Sequence, residues 1–175
     1  MEVHSQKRKE ALLMHIHIRT VTPADLDAVC RVENAGFPPA EAATRRAFQY
    51  RIAAFPAWFL VAEEHGTVVG LLNGPATRER FICDAIYEPG GADSVGETMA
   101  ILGLAVLPEY RRKGVAARLM EEYLAKARQA GKRRVVLTCK EELIHYYETF
   151  GFCSCGVSQS VHGGAVWYDM ECILA

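Results

Sequence analysis

The stretch ILGLAVLPEYRRKGVAARLM, residues 101–120, decides the fold prediction, because it joins an apolar strand to an amphipathic helix through a cationic turn. The strand-like run stops at Pro108, three cations follow at residues 111–113, and Gly114 opens the helix. The first N–H groups of a helix have no intrahelical partner and carry partial positive charge, and a glycine lets a ligand approach them closely. The turn therefore has the composition of an anion site that suits a phosphate or pyrophosphate.

This turn is neither of the two common glycine-rich phosphate loops, since G-x-x-x-x-G-K-[ST] and G-x-G-x-x-G are both absent. Considered alone, its three cations are equally well explained as a solvated basic surface. The chain carries 20 Lys and Arg against 21 Asp and Glu, a net charge of −1. The positive charge is therefore local, and nothing in the overall balance indicates a nucleic-acid partner.

Strand and helix patterns alternate on both sides of this stretch, which is typical of an α/β (α+β) domain with a mixed sheet covered by helices. Thr22 is predicted to cap a helix that ends at Gly36, and a hairpin is predicted to turn at residues 64–66. The predicted strands are 14–21, 57–63, 67–74, 98–106, 133–139 and 165–174, and the predicted helices are 23–36, 40–53, 114–131 and 140–150. Gly103, inside the strand 98–106, indicates a bulge or a close backbone approach.

Two segments do not follow this alternation. Residues 1–13 are mostly charged and aperiodic, so we predict a flexible N-terminal extension ahead of one domain at residues 14–175. Residues 76–96 have no clean period and contain Pro89 and three glycines. Long irregular segments inside compact domains are often functional, so we predict that this one borders a substrate site.

Several other classes of protein do not fit the composition. No apolar run approaches ~18 residues, and the N-terminus lacks the features of a secretory signal, so we expect a cytoplasmic protein that does not bind a membrane. The six cysteines are scattered through apolar surroundings, which is typical of reduced, buried thiols. Only Cys153 and Cys155 are close enough in the sequence to bind one metal ion together, which would suit a metal-dependent redox protein. A Cys-x-Cys motif without a second pair is a weak indication of such a site. We therefore expect no metal site.

The central stretch resembles the signature of the GNAT superfamily of acyl-CoA-dependent N-acyltransferases. Arg111-x-x-Gly114-x-Ala116 follows an apolar strand, as in the family's (Q/R)-x-x-G-x-(G/A), and the string VVLTCKEELIHYYETFGF, residues 135–152, is similar to the serotonin (arylalkylamine) N-acetyltransferase branch. The resemblance covers roughly residues 14–174. It implies a GNAT-like mixed central β-sheet of about six to seven strands with helices on both faces.

The resemblance also implies a role for each matching segment. The backbone of Leu104, Ala105 and Val106 is expected to pair with the pantetheine arm of acetyl-CoA as an added strand. The pyrophosphate is expected to bind the amides of the turn, with attraction from its side chains, and the residues concerned are Arg111, Arg112, Lys113, Gly114, Val115 and Ala116. Tyr147 matches the family's tyrosine that protonates the departing thiolate; alternatively it is a core aromatic.

Three positions depart from the pattern of the family. The paired histidines that help to deprotonate the amine in serotonin acetyltransferases correspond to Ala100 and Leu102, and Lys140 stands where many members have Asn. We therefore expect either that Glu97 acts as the base through water or that the amine arrives neutral. A route through an acetylated Cys139 is a less favoured alternative.

The implied activity is direct transfer of an acetyl group from acetyl-CoA to a primary amine of a small molecule, such as an arylalkylamine or a polyamine. Four acidic residues in or beside the irregular segment could attract a cationic amine, although an acidic loop is usually only solvated; they are Asp84, Glu88, Asp93 and Glu97. The alternative is a catalytically weak acyl-CoA-binding module of the same fold that acts as a sensor or binds a partner. Either protein is expected to be a monomer or a homodimer, and the residues do not indicate which amine is acetylated.

Overall fold

A computed structural model describes residues 6, 10, 11, 13 and 15–174 of the chain. From residue 16 onward the structure has four α-helices and nine strands, joined by turns and short 3₁₀ segments, and the described residues before residue 16 are helical. The helices are α1 (Leu26–Gly36), α2 (Arg45–Ala54), α3 (Val115–Gln129) and α4 (Ile144–Glu148). The strands are β1 (Ile16–Thr20), β2 (Phe59–Glu64), β3 (Thr67–Asn73), β4 (Ala76–Thr77), β5 (Thr98–Ala100), β6 (Gly103–Val106), β7 (Arg134–Cys139), β8 (Cys153–Val157) and β9 (Tyr168–Ile173).

The strands form two sheets, with orders β1-β2-β3-β6 and β4-β5-β7-β9-β8. Strands β5 and β7 are parallel, and the remaining neighbours are antiparallel. The predicted mixed α/β (α+β) architecture is confirmed. The strand count exceeds the six to seven expected, because the apolar run 98–106 divides into two strands and the short strands β4 and β8 had no recognisable pattern.

The division of the run 98–106 separates the two sheets. The amide of Ile101 donates to the carbonyl of Val136 on β7 (2.9 Å), whereas the next amide, Leu102, donates to Asn73 on β3 (2.8 Å). Consecutive amides thus serve different sheets, and the chain leaves β7 to join β3. Gly103 predicted an irregularity in this run, and the change from one sheet to the other lies immediately before Gly103. Strand β6 forms an edge of the first sheet.

Helices cover both faces of the first sheet. A Cβ at Gly36, the last residue of α1, would lie 2.9 Å from the Cβ of Ala105, so Ala105 faces α1. A Cβ at Gly70 would lie 3.2 Å from Leu119 of α3. Gly70 pairs with Val106, the neighbour of Ala105, and side chains alternate along a strand. Helices α1 and α3 therefore lie on opposite faces, as predicted.

The N-terminal prediction concerns residues that are mostly outside those described. At Leu13 the main-chain carbonyl accepts a hydrogen bond from Arg118 (2.7 Å), and the same guanidinium donates to the carbonyl of Ile16 (2.9 Å). Strand β1 begins at Ile16, two residues after the predicted start. The division into an extension and a domain stays a prediction. None of the helices within the described residues has the length and apolarity needed to cross a bilayer.

Candidate functional site

A groove of about 540 Å³ runs along β6 and reaches the first turn of α3. We call it the β6 groove. The predicted residues that line it are Leu104, Ala105, Val106, Arg111, Arg112, Gly114, Val115 and Ala116, with Leu143, Tyr146 and Tyr147 on the opposite side. The structure therefore brings most of the predicted cofactor residues to one continuous surface.

Two backbone amides of β6 point into this groove. Leu107 donates its amide to Val69 of β3 (2.9 Å). Because successive amides on a strand point to opposite sides, those of Leu104 and Val106 point away from β3. They can donate to an extended ligand lying beside the strand.

Two of the three cationic side chains of the turn donate hydrogen bonds to backbone carbonyls. Arg111 donates from Nε to the carbonyl of Val106 (3.0 Å) and from Nη2 to that of Ala35 (2.8 Å), while Lys113 Nζ donates to the carbonyl of Glu109 (2.5 Å). Both side chains hold the backbone of the turn, and Arg111 and Arg112 are both exposed to solvent. Arg112 and Gly114 have positive φ angles of 58° and 89°. The turn therefore leads with a left-handed glycine into α3, whose first amides lie at the groove.

A second cavity of about 190 Å³, the inner cavity, lies between β6, β7 and the end of α1. It shares Leu104, Leu143 and Tyr147 with the β6 groove. Its wall combines polar and apolar surface, with Phe37, Tyr87, His162 and Trp167 contributing rings. A molecule in the inner cavity and one in the groove would meet beside Tyr147.

Tyr147 lies on α4 between the two cavities. Its ring packs against Tyr146 and Phe152, with centroids 5.2 and 6.0 Å apart. Burial raises the pKa of its hydroxyl well above the ordinary value, and Tyr146 and Cys139 add to the increase. The hydroxyl therefore remains a proton donor through the neutral pH range.

The carboxylate of Glu33, on α1, is a titratable group of the inner cavity that the sequence analysis did not predict. Only 3% of the residue is exposed. Oε1 accepts a hydrogen bond from the amide of Ala43 (2.9 Å), while Oε2 is buried without a partner among the described residues. Oε2 lies 3.7 Å from the position of a Cβ on Gly103, at the start of β6. The helical spacing of the sequence indicates this burial, because Glu33 follows Val29 by four residues and so lies on the same buried face of α1.

Burial raises the pKa of Glu33 to about 7, against an ordinary value near 4.5, although the bond from Ala43 and the charge of Arg51 oppose this. Arg51 is itself buried and donates to Asn73 Oδ1 (3.1 Å) and to the carbonyl of Tyr87 (3.2 Å). At neutral pH the Glu33 carboxyl can therefore both accept and release a proton, as a general base requires.

This pKa makes the folding stability depend on pH. Between about pH 4.5 and 7 the folded protein holds a proton on Glu33 that the unfolded chain has lost, so its stabilising contribution falls as the pH rises through this range. We expect Glu33→Gln to remove this dependence. In denaturant titrations, the wild type should lose up to about 3 kcal/mol relative to the variant between pH 4 and pH 8. The exposed Glu97→Gln serves as the control, and equal pH profiles for wild type and Glu33→Gln would contradict the assignment.

The other predicted residues lie in different surroundings. Glu97 precedes β5 with a side chain 69% exposed, 3.5 Å from Arg133, and lines neither cavity. The structure does not bring it to Tyr147. Ala100 is fully buried, while Leu102 lines the inner cavity. Cys139 lines it too, and burial raises the pKa of its thiol to about 11, which leaves little thiolate for nucleophilic attack.

The irregular segment 76–96 contributes to the inner cavity through Tyr87. Of its acidic residues, Asp84 accepts a hydrogen bond from the amide of Val161 (3.0 Å), and Asp93 lies 3.8 Å from Arg78. Cys153 and Cys155 are exposed on β8. Across the part of the chain that the structure describes, no group of three or more His, Cys, Asp or Glu side chains could hold a metal ion.

The matched family agrees with this arrangement of elements. The model of the acetyltransferase (GNAT) family matches residues 26–152, from the start of α1 to the end of the turn after α4. The chain belongs to this family. The resemblance stated from the residues of the turn and of α4 is confirmed.

Individual relatives extend the comparison. The chain is 30% identical over 121 residues to serotonin N-acetyltransferase from Mesocricetus auratus, a match that covers 67% of this chain and 54% of that protein. The match thus spans about half the length of this relative. A GNAT family acetyltransferase from Brucella melitensis, solved with acetyl-CoA, is 26% identical with a TM-score of 0.59, covering 89% of this chain and 86% of that chain.

The loading GNATL domain of CurA from Lyngbya majuscula has a TM-score of 0.79 at 15% identity, covering 91% of this chain and 98% of that chain. At this level of identity the likeness concerns the fold alone.

Proposed function

We propose that this protein transfers an acetyl group directly from acetyl-CoA to the primary amine of a small molecule. The observation that carries the proposal is the meeting of the β6 groove and the inner cavity at Tyr147. A thioester in the groove and an amine in the cavity would come together at a protonated phenol. Membership of the GNAT family and the acetyl-CoA complex of the Brucella melitensis relative support acetyl-CoA as the donor.

The groove offers matching groups along the length of acetyl-CoA. The amides of Leu104 and Val106 would pair with the pantetheine arm, and the amide of Val106 would polarise the thioester carbonyl. The pyrophosphate would bind the amides from Arg112 to Ala116 at the positive end of α3. Arg111 and Lys113, whose side chains bond to backbone carbonyls, would act mainly by holding the turn in shape.

The chemical steps follow from the two titratable groups. The acceptor enters as an ammonium ion, and Glu33, directly or through water, takes its proton so that the nitrogen lone pair can attack the thioester carbon. The new C–N bond forms a tetrahedral intermediate. When it collapses, the C–S bond breaks and Tyr147 donates its proton to the departing thiolate of CoA. The attacking nitrogen then loses its second proton through water to the Tyr147 phenolate, and Glu33 releases the first proton to solvent, so that both groups return to their starting states. In this proposal Glu33 takes the part that the sequence had suggested for Glu97.

The inner cavity favours a compact amine with an aromatic or alkyl body. Aromatic rings attract both apolar groups and cations, and the Glu33 carboxylate adds negative charge beside them. Arylalkylamines and polyamines are the classes that combine these features. The match to a serotonin N-acetyltransferase supports the first of them.

The proposal is tested by release of CoA thiol at saturating acetyl-CoA, with a panel of arylalkylamines, polyamines and short peptides. We expect at least one small amine to raise the rate far above the hydrolysis seen without an amine, with the acetylated amine identified by mass spectrometry. If acetyl-CoA binds and no amine is acetylated, the protein is an acyl-CoA-binding module instead.

A further inference from the structure

The loop between β8 and β9, residues 158–167, lines the inner cavity with His162 and Trp167 and contacts the loop between α1 and α2, residues 37–44. A Cβ on Gly163 would lie 2.6 Å from Cγ of Glu41 and 2.9 Å from the carbonyl oxygen of Ala40. The ring nitrogen Nε2 of His162 lies 2.9 Å from the carbonyl oxygen of Glu41. The two loops therefore touch over the cavity, and the contact requires a residue without a side chain at position 163.

Lys140 connects these loops to α4, the helix that carries Tyr147. Its Nζ lies 2.8 Å from Oε1 of Glu41, whose side chain is only 8% exposed. The same ammonium group lies 5.8 Å from the ring centroid of Trp167, the last residue of the β8–β9 loop. Lys140 stands immediately before the 3₁₀ turn that leads into α4. The residue that departs from the family pattern thus connects three segments around the inner cavity.

The far side of the β8–β9 loop is held by the irregular segment. The ring of His162 stacks on Tyr87, with centroids 4.2 Å apart. Asp84 accepts hydrogen bonds from the hydroxyl of Ser160 and from the amide of Val161 (3.0 Å for the latter). The loop is therefore attached on both sides of the cavity.

We propose that the Lys140–Glu41 bridge is a specificity determinant that restricts the acceptor to amines of small molecules and excludes the amino termini of polypeptides. This inference rests on the proposed function. A polypeptide acceptor would continue away from its amino group at about 3.3 Å per residue, and would have to pass between the 37–44 and 158–167 loops. The bridge joins the 37–44 loop to Lys140, whose ammonium group also lies against Trp167 at the end of the 158–167 loop, and the cavity that these segments line holds about 190 Å³. A compact amine fits beneath the loops, whereas a chain requires the bridge to open.

The first test compares specificity ratios, kcat/KM for a tetrapeptide amine divided by kcat/KM for the best small amine. We expect a wild-type ratio below about 1/100. Lys140→Met keeps an apolar stem on Trp167 and removes the charge, and Glu41→Gln removes the other partner. Each variant should raise the ratio by roughly tenfold or more. Arg45→Ala, which breaks the exposed Arg45–Asp27 pair next to the same loop, is the matched control and should leave the ratio unchanged.

The second test does not depend on turnover. Cys139 lines the inner cavity, while Cys172 is equally buried outside it, so their alkylation by a bulky maleimide can be followed in one sample by mass spectrometry. Opening of the bridge should accelerate labelling of Cys139 alone, whereas unfolding should accelerate labelling of both. A wild type that acetylates the peptide nearly as well as the small amine overturns the inference, as do variants with unchanged ratio and labelling. Absence of transfer to every amine overturns the proposed function as well.

Discussion

Tyr147→Phe is expected to reduce turnover by roughly 100-fold or more while acetyl-CoA binding and folding are retained. Phenylalanine keeps the ring that packs against Tyr146 and Phe152 and removes only the proton donor. Without that proton, CoA must leave as a thiolate, which slows collapse of the intermediate toward product. Because burial keeps the pKa of Tyr147 far above neutrality, the wild type should show no alkaline loss of activity from this group.

The measurement is CoA release at saturating acetyl-CoA with the best amine, beside a thermal melt of each variant. Tyr50→Phe, on α2 and outside both cavities, is the matched control and should behave as the wild type. A fully active Tyr147→Phe would refute the general-acid assignment. Loss of activity that accompanies a large fall in melting temperature would instead identify Tyr147 as a core aromatic.

Gly114→Asp is expected to abolish the stabilisation that acetyl-CoA gives the protein. A ligand at a hundredfold excess over its Kd stabilises the native state by about 2.7 kcal/mol, which for a chain of this size raises the melting temperature by about 5–10 °C. An aspartate at Gly114 would place a carboxylate at the amides that should hold the pyrophosphate. A Cβ at this position would also lie 3.3 Å from Cδ1 of Leu13, so the substitution crowds the turn in addition to placing a negative charge there.

Gly114→Asn separates the effect of the negative charge at position 114 from the effect of side-chain size. Gly114 has φ = 89°, a left-handed conformation that Asn and Asp tolerate better than other residues with side chains. The two variants are almost identical in size, so both bear the same steric cost and differ in charge. We expect Asn to keep part of the acetyl-CoA-dependent rise and Asp to keep none. If acetyl-CoA raised the melting temperature of wild type and Gly114→Asp equally, the pyrophosphate would not bind at this turn.

Local pattern was sufficient for the turn between β6 and α3. The periodicity of α3, the proline that stops the preceding strand and the glycine at the helix start all lie between Pro108 and Gln129, and each acts through its own backbone geometry. The same is true of the β2–β3 hairpin, which turns at the predicted residues 64–66. Such features depend on neighbours in the chain, so the sequence is enough to locate them.

Pairing between distant strands determined how the apolar run 98–106 is divided, which its hydrophobic pattern does not show. The run 98–106 looks like one strand, and only the competing partners Val136 and Asn73 divide it between two sheets. That division creates the exposed edge of β6 on which the groove depends. Tertiary pairing also places Glu97, ahead of β5, beside Arg133, where solvent and a counter-charge surround its carboxylate.

The sequence by itself determined the family, the cationic turn and the tyrosine on α4, because each is encoded in a short motif. Only the tertiary structure decided that Glu33 is the titratable group nearest the start of β6, and that Lys140 reaches Glu41 across 99 positions of the chain. The physical reason is that a carboxylate becomes a base near neutral pH through desolvation, and desolvation depends on every segment that packs around it.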